Sequence, residues 1–245
     1  MKPSKQIIPT STALEARLRI FQPSQKPVLK EIYLNTSWGT ATVKGRLGQR
    51  HADVLEAVRA CALEIKKIDD GLILLVDPFE IRKRIGTGYY SHQQMTTLLK
   101  ELTEAIVSIE TDDIRAVGHF IDYTEEARKP VLDKRGRERY WMIVKLGKVG
   151  LQLLNDDFKL YYDPTPISNL KHGICQAIAR HVLTHKREPN GGWLVDTLIE
   201  TVAGALPSIK KAKARAAIKR DIDGFTACGI VVDNGRIRLS EVEQN

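Results

Sequence analysis

The chain has 245 residues, enough for one large or two ordinary domains, each able to bury a core. A hydrophobic share of 42% and a charged share of 28% belong to a globular protein, and no apolar run nears the roughly 18 residues of a membrane span. The net charge of +8 favours an acidic partner such as nucleic acid, without choosing between DNA, RNA and a membrane surface.

The first nine residues lack the apolar stretch of a secretory signal, which points to a cytoplasmic location. Cys61, Cys175 and Cys228 are isolated, odd in number and set in apolar patterns, as reduced buried thiols are. Residues 1–29, rich in Pro, Ser, Gln and Lys, read as a flexible basic N-terminal arm, either touching DNA or a plain tail; Ala13–Leu18 is its one helical-looking piece.

Residues 30–155 form the first predicted domain. Lys30–Leu47 reads as a hairpin turning at Ser37-Trp38-Gly39. A helix follows from Gln49, its apolar face made by Val54, Leu55, Val58, Cys61, Ala62 and Ile65. Leu72–Val76 is strand-like, and Asp77-Pro78 starts a short helix over Phe79–Ile85 that stops at Gly86-Thr87-Gly88. Ser91-His92-Gln93-Gln94 matches a capping box, opening a helix with Met95, Leu98, Leu99 and Leu102 on one side. The period then changes to two, giving strands at Ile106–Ile109, Val117–Tyr123 and Tyr140–Leu146, with the basic turn Lys134-Arg135-Gly136-Arg137 at a hairpin tip. Three helices and a basic-tipped hairpin predict a winged helix, whose third helix enters the major groove; an ordinary surface hairpin is the alternative.

Gly147–Asn155 looks like a short helix, and Asp156–Pro166 like a linker. In the second predicted domain, residues 156–245, Ser168–Lys186 is a helix with Leu170, Ile174, Ile178 and Val182 on one face, and Trp193–Ala203 a second with Leu194, Leu198 and Val202. Ser208 can cap a third. It carries Lys210, Lys211, Lys213, Arg215, Lys219 and Arg220 with no acid before Asp221, seated through Ile209, Ala212, Ala216 and Ile218. Such a helix suits a major groove, a solvated basic face being the plainer reading. Ile230–Leu239 is a hairpin with an Asn234-Gly235 turn. The halves are in step: His51 and Ser168 are 117 positions apart, and so are Ser91 and Ser208. The predicted fold is α+β, two tandem winged-helix domains.

With this order of elements, with Ser91-His92-Gln93-Gln94 opening one third helix and Ser208-Ile209-Lys210-Lys211 the other, the chain resembles the tandem winged-helix replication initiators of bacterial plasmids over about residues 30–240. The resemblance implies binding to directly repeated double-stranded DNA at an origin, recruitment of host replication proteins, and a switch between a self-repressing homodimer and an initiating monomer. A transcriptional or transfer regulator on the same fold is the alternative. In either case Gln93, Gln94 and the helix of Ser208, Lys210, Lys211, Lys213, Arg215 and Lys219 read bases, Gln suiting adenine and Lys or Arg guanine, with Ser91 and His92 also in contact with DNA. Lys134, Arg135, Arg137 and Arg236 reach phosphates from the wings.

No Gly-x-x-x-x-Gly-Lys-Ser/Thr loop occurs, and no His-x-His cluster accompanies Tyr89-Tyr90 or Tyr161-Tyr162, so neither ATP hydrolysis nor DNA nicking is expected. Asp112-Asp113 and Asp221-x-Asp223 suit caps or solvated groups better than Mg²⁺, which leaves a metal-dependent nucleic-acid enzyme as a third reading. His172, Cys175, His181 and His185 on one helix suit packing or partner contacts better than a metal. No cofactor is expected, and no enzymatic activity.

Overall fold

The computed structural model describes residues 8–86, 90–132 and 136–240. It opens with β1 (Ser11–Thr12) and α1 (Ala13–Arg17). From Ile8 onward the stretch expected to be a flexible arm is instead docked: Leu18, Ile20 and Phe21 are buried in the first hydrophobic core, where Phe21 stacks on Phe120 at 5.4 Å. A distant partner makes the difference. Glu15 is buried against Arg59, whose guanidinium donates to both carboxylate oxygens at 2.8 and 3.0 Å, so each charge is matched where water is excluded. The arm's residues 1–7 lie outside the described residues.

The hairpin β2 (Lys30–Thr36) and β3 (Gly39–Gly45) leads into α2 (Gln49–Ala60). That helix ends at Cys61 instead of running on to Ile65, because β4 (Ala62–Ile68) turns back to pair with β5 (Gly71–Val76). β4 lies at the edge of its sheet and exposes Leu63, Glu64, Lys66 and Lys67, so it lacks the alternation that marks a strand. Asp77 caps α3 (Pro78–Arg84) by accepting from the Phe79 N–H at 2.8 Å. α4 (His92–Glu104) starts with the predicted reciprocal box: the Ser91 hydroxyl accepts from the Gln94 N–H at 3.1 Å and the Gln94 amide oxygen from the Ser91 N–H at 2.9 Å.

Six strands follow, β6 (Ile106–Glu110), β7 (Arg115–Gly118), β8 (Ile121–Glu126), β9 (Val131–Leu132), β10 (Glu138–Arg139) and β11 (Met142–Leu146). The strand expected over Val117–Tyr123 is broken at His119-Phe120, so that β7 completes the sheet β2-β3-β6-β7 and β8 the sheet β4-β5-β11-β8. α5 (Lys148–Asp156) and β12 (Lys159–Leu160) return the chain to β1, with which β12 pairs.

The single helix expected from Ser168 to Lys186 is two, α6 (Thr165–Ser168) and α7 (Gly173–Leu183), separated where Asp221 accepts the His172 N–H at 3.1 Å. β13 (Trp193–Leu194), α8 (Val195–Ala203), α9 (Ser208–Arg220), α10 (Ile222–Ala227), β14 (Ile230–Asp233) and β15 (Arg236–Leu239) complete the chain. Asn234 and Gly235, at φ 46° and 73°, form the two-residue turn of the last hairpin, a backbone open to Asn and Gly but strained for most side chains.

A shared topology links the halves. β5, just before α3, pairs with β11, which pairs with β8; β13, just before α8, pairs with β15, which pairs with β14. Each half has its own apolar core, one running from Leu18 to Leu154 and the other from Ile167 to Ile237. Between them α2 meets α7 through buried polar groups. Arg180 donates to Glu56 at 2.8 Å, to Asp53 at 2.7 Å and to Gln49 at 2.8 Å, and Tyr162 donates its hydroxyl to Glu56 at 2.7 Å. Four rings, Trp38, His181, His185 and Trp193, continue the junction with successive centroids 5.5, 5.0 and 5.3 Å apart.

Candidate nucleic-acid interface

Met95, Leu99 and Leu102 bury one side of α4, leaving Gln93, Thr96 and Lys100 exposed on the other. Two residues expected to contact DNA have internal work as well. The Gln94 amide oxygen closes the cap, and His92 Nε2 lies 2.7 Å from Glu126 of β8, tying the helix start to the long hairpin. Ser91 likewise spends its hydroxyl on the cap, whereas Gln93 stands exposed beside it.

α9 is seated differently from expectation. Ala214, Ala217 and Ile218 face the core, while Ile209 is 71% exposed and Ala212 is also exposed. Pro207 occupies the cap position, and Ser208 makes no capping bond. Small alanines let the helix lie close over α7 and α8, which turns Lys210, Lys213, Lys219 and Arg220 outward. Lys211 and Arg215 point along the seam to α8, where Lys211 pairs with Glu200 and Arg215 forks onto Asp196, its Nε–Oδ1 distance 2.6 Å. Hydrogen bonding to Asp196 raises the Arg215 pKa, and the same bond lowers that of the carboxyl. Both pairs are open to water, so salt and competing phosphates can exchange them.

Beyond β9 and β10, Arg137 is exposed at the hairpin tip, and Lys134 and Arg135 lie outside the described residues. On the second hairpin the Arg236 guanidinium donates to the carbonyls of Gly191 and Gly192 at 3.2 Å each, so it also holds the loop before β13. Arg139 was not singled out by the sequence. It lies 3.9 Å from the centroid of the Phe79 ring, which Lys83 also approaches at 4.7 Å, and so locks the base of the long hairpin to α3. No local pattern announces that contact, since the ring and the cation belong to elements 60 positions apart.

The four metal-ligand types on the α7 stretch separate. His181 and His185 join the aromatic row, and burial drives the His181 pKa down to about 3. His172 and Cys175 instead meet Asp221, the three ligand atoms within 4.8 Å of one another. Here the carboxylate accepts from the His172 backbone and, at 3.0 Å, from its ring, which ties the end of α9 to the start of α7. Burial, then the Asp221 charge, raise the Cys175 thiol well above its ordinary range, keeping it protonated. Among the described residues, no helix is long and apolar enough to cross a membrane.

No protein-family model matches this chain, and no curated protein sequence matches it. Among solved structures it is similar to domains 2 and 3 of RctB, in a crystal structure of selenomethionine derivatives. The match has a TM-score of 0.62 at 12% identity and covers 96% of this chain and 100% of that one. At that identity the likeness concerns the fold.

Proposed function

We propose that the protein is a sequence-specific double-stranded DNA-binding protein built from two winged-helix modules, and that it serves as a replication initiator at repeated origin sites. The supporting observation is a repeated arrangement in which one strand, β5 or β13, leads into two helices, α3 and α4 or α8 and α9, and shares an antiparallel sheet with two later strands, β11 and β8 or β15 and β14. β6 and β7 intervene in the first half and α10 in the second, but α4 and α9 occupy the same place and each leaves one long face open. In a winged helix that element enters the major groove and the hairpin meets the flanking backbone. The exposed cations of α9 and a net charge of +8 supply the attraction to phosphate. Gln93 suits adenine and Lys210 and Lys213 suit guanine, while Ser91, His92, Gln94, Lys211, Arg215 and Lys219 line the same two helices. Arg137 and Arg236, with Lys134 and Arg135, serve the wings.

The role is that of a binding protein acting without catalysis, and the resemblance to plasmid initiators extends it to host replication proteins and to a homodimer as partners. Selection of bound sequences from a random duplex pool tests the reading. Long direct repeats are expected; a short palindrome would identify a repressor instead, and no enrichment would sink the proposal. Changing Lys210 and Lys213 to Glu should abolish binding to the selected duplex.

A further inference from the structure

Two clefts of about 420 and 400 Å³ adjoin at the junction of the halves and share Arg50, Tyr90 and Gln94. Arg50 forms part of their floor, its guanidinium over the Tyr90 ring at 5.3 Å and hydrogen-bonded to Gln25 of the N-terminal segment at 3.1 Å and to the Ser168 carbonyl at 3.3 Å. Gln25 in turn donates to the Leu170 carbonyl at 3.1 Å. The neighbours of that bond, Lys26 and Lys171, each line one of the two clefts, on either side of the shared Arg50, Tyr90 and Gln94. Both are exposed, and neither is ion-paired among the described residues.

The other charges nearby are already matched. Arg50 and Arg180 are balanced by Asp53 and Glu56, and Arg46 on the rim lies 3.5 Å from Glu101, which also accepts from His51. Burial lowers the His51 pKa, keeping that ring neutral. The unmatched positive charge of the opening is therefore that of Lys26 and Lys171. Its position is defined at both ends. Gln94, in the first turn of α4, lines both clefts, and Asp221, at the end of α9, is bonded to His172 beside Lys171. The opening therefore lies between the start of α4 and the end of α9.

We infer that the interdomain cleft is a phosphate seat, in which Lys26 and Lys171 hold the DNA backbone between the groove segments met by α4 and α9. The inference rests on the duplex-binding reading and adds to it a contact from a segment that looks like a tail. Each lysine neutralising a phosphate contributes about 0.9 to the slope of log affinity against log salt, so losing both should lower it by roughly 1.8.

The test is a salt titration of binding to a fluorescein-labelled random-sequence 30-bp duplex by the full chain, its Lys26→Ala/Lys171→Ala variant and a Lys159→Ala/Lys186→Ala control. The control removes the same charge at the opposite end of α7, where Lys186 lies 4.8 Å from the Phe158 ring centroid. The expected result is a lower slope and weaker binding for the cleft variant, with the control following wild type. An unchanged slope in the cleft variant, or an equal fall in the control, would overturn the seat. If Lys210→Glu/Lys213→Glu still loses binding in that case, the duplex-binding reading survives. If wild type binds no duplex, both fail.

Discussion

Arg180 of α7 grips Glu56 of α2 through two hydrogen bonds of 2.8 Å, although the residues stand 124 positions apart. Burial works against the arginine's charge, but the Glu56 and Asp53 carboxylates outweigh it and raise its pKa. With Gln49, Gln176 and Tyr162 completing the hydrogen bonds, the network sets the angle between the modules and so the spacing of α4 and α9.

Replacing Arg180 with Met leaves two acids in the junction with Arg50 as their nearest cation. A loss of about 3–5 kcal/mol is expected, read from denaturant unfolding. The double variant Arg180→Met/Glu56→Gln should recover part of it, since the orphaned charge is then gone. A single variant as stable as wild type would show that the junction is wet.

Gly173 lies against the N-terminal segment so closely that a Cβ there would sit 2.6 Å from Ser24 Cα. Backbone cannot swing away as a side-chain tip can, so Gly173→Ala should cost roughly 1–3 kcal/mol. It should also raise proteolysis of residues 8–29. Unchanged cleavage would mean that the segment is held elsewhere.

The His181 pKa of about 3 lies below the ordinary imidazole value, chiefly through burial, with His185 and Arg17 adding to the shift. Between about pH 6.5 and 3 the unfolded chain therefore binds the proton and the folded chain does not, so stability is full above 6.5 and lost as pH falls. His51 and His185 shift the same way. Unfolding free energy should decline on acidification by up to about 1.4 kcal/mol per pH unit for one such group, and His181→Leu should flatten the curve. A slope identical in that variant would remove His181 from the account.

Asp196 and Glu200 hold Arg215 and Lys211 to α8. Changing them to Asn and Gln releases two cations and deletes two anions beside the proposed recognition helix. Affinity for a random-sequence duplex should rise several-fold at low salt and converge with wild type as salt increases. A fall in affinity would mean that the pairs position α9 for binding.

Much of the frame is legible locally. The Ser91 box, the Asp77-Pro78 start and the Asn234-Gly235 turn each depend on a few adjacent residues, and the apolar side of α4 repeats at helical spacing; α8 buries Leu198, Ile199 and Val202, whereas Leu194, expected on that face, lies in β13 and is exposed. The cation-rich α9 is visible for the same reason, though its seat is not: Ile209 is outside and Ala214 inside, because packing against α7 and α8 admits only small side chains there.

Local pattern therefore determined most of the helices and the last hairpin and the sign of the exposed helix, but not β4, the division of α6 from α7 or α10. Where the partner is remote in sequence, only the tertiary structure decides. Asp53, Glu56 and Arg180 look like solvated charges until α2 and α7 meet, and Glu15 looks like part of a tail until Arg59, 44 positions on, closes over it. A charge's environment is set by what excludes water from it, and that is chosen by long-range packing rather than by its neighbours in the chain.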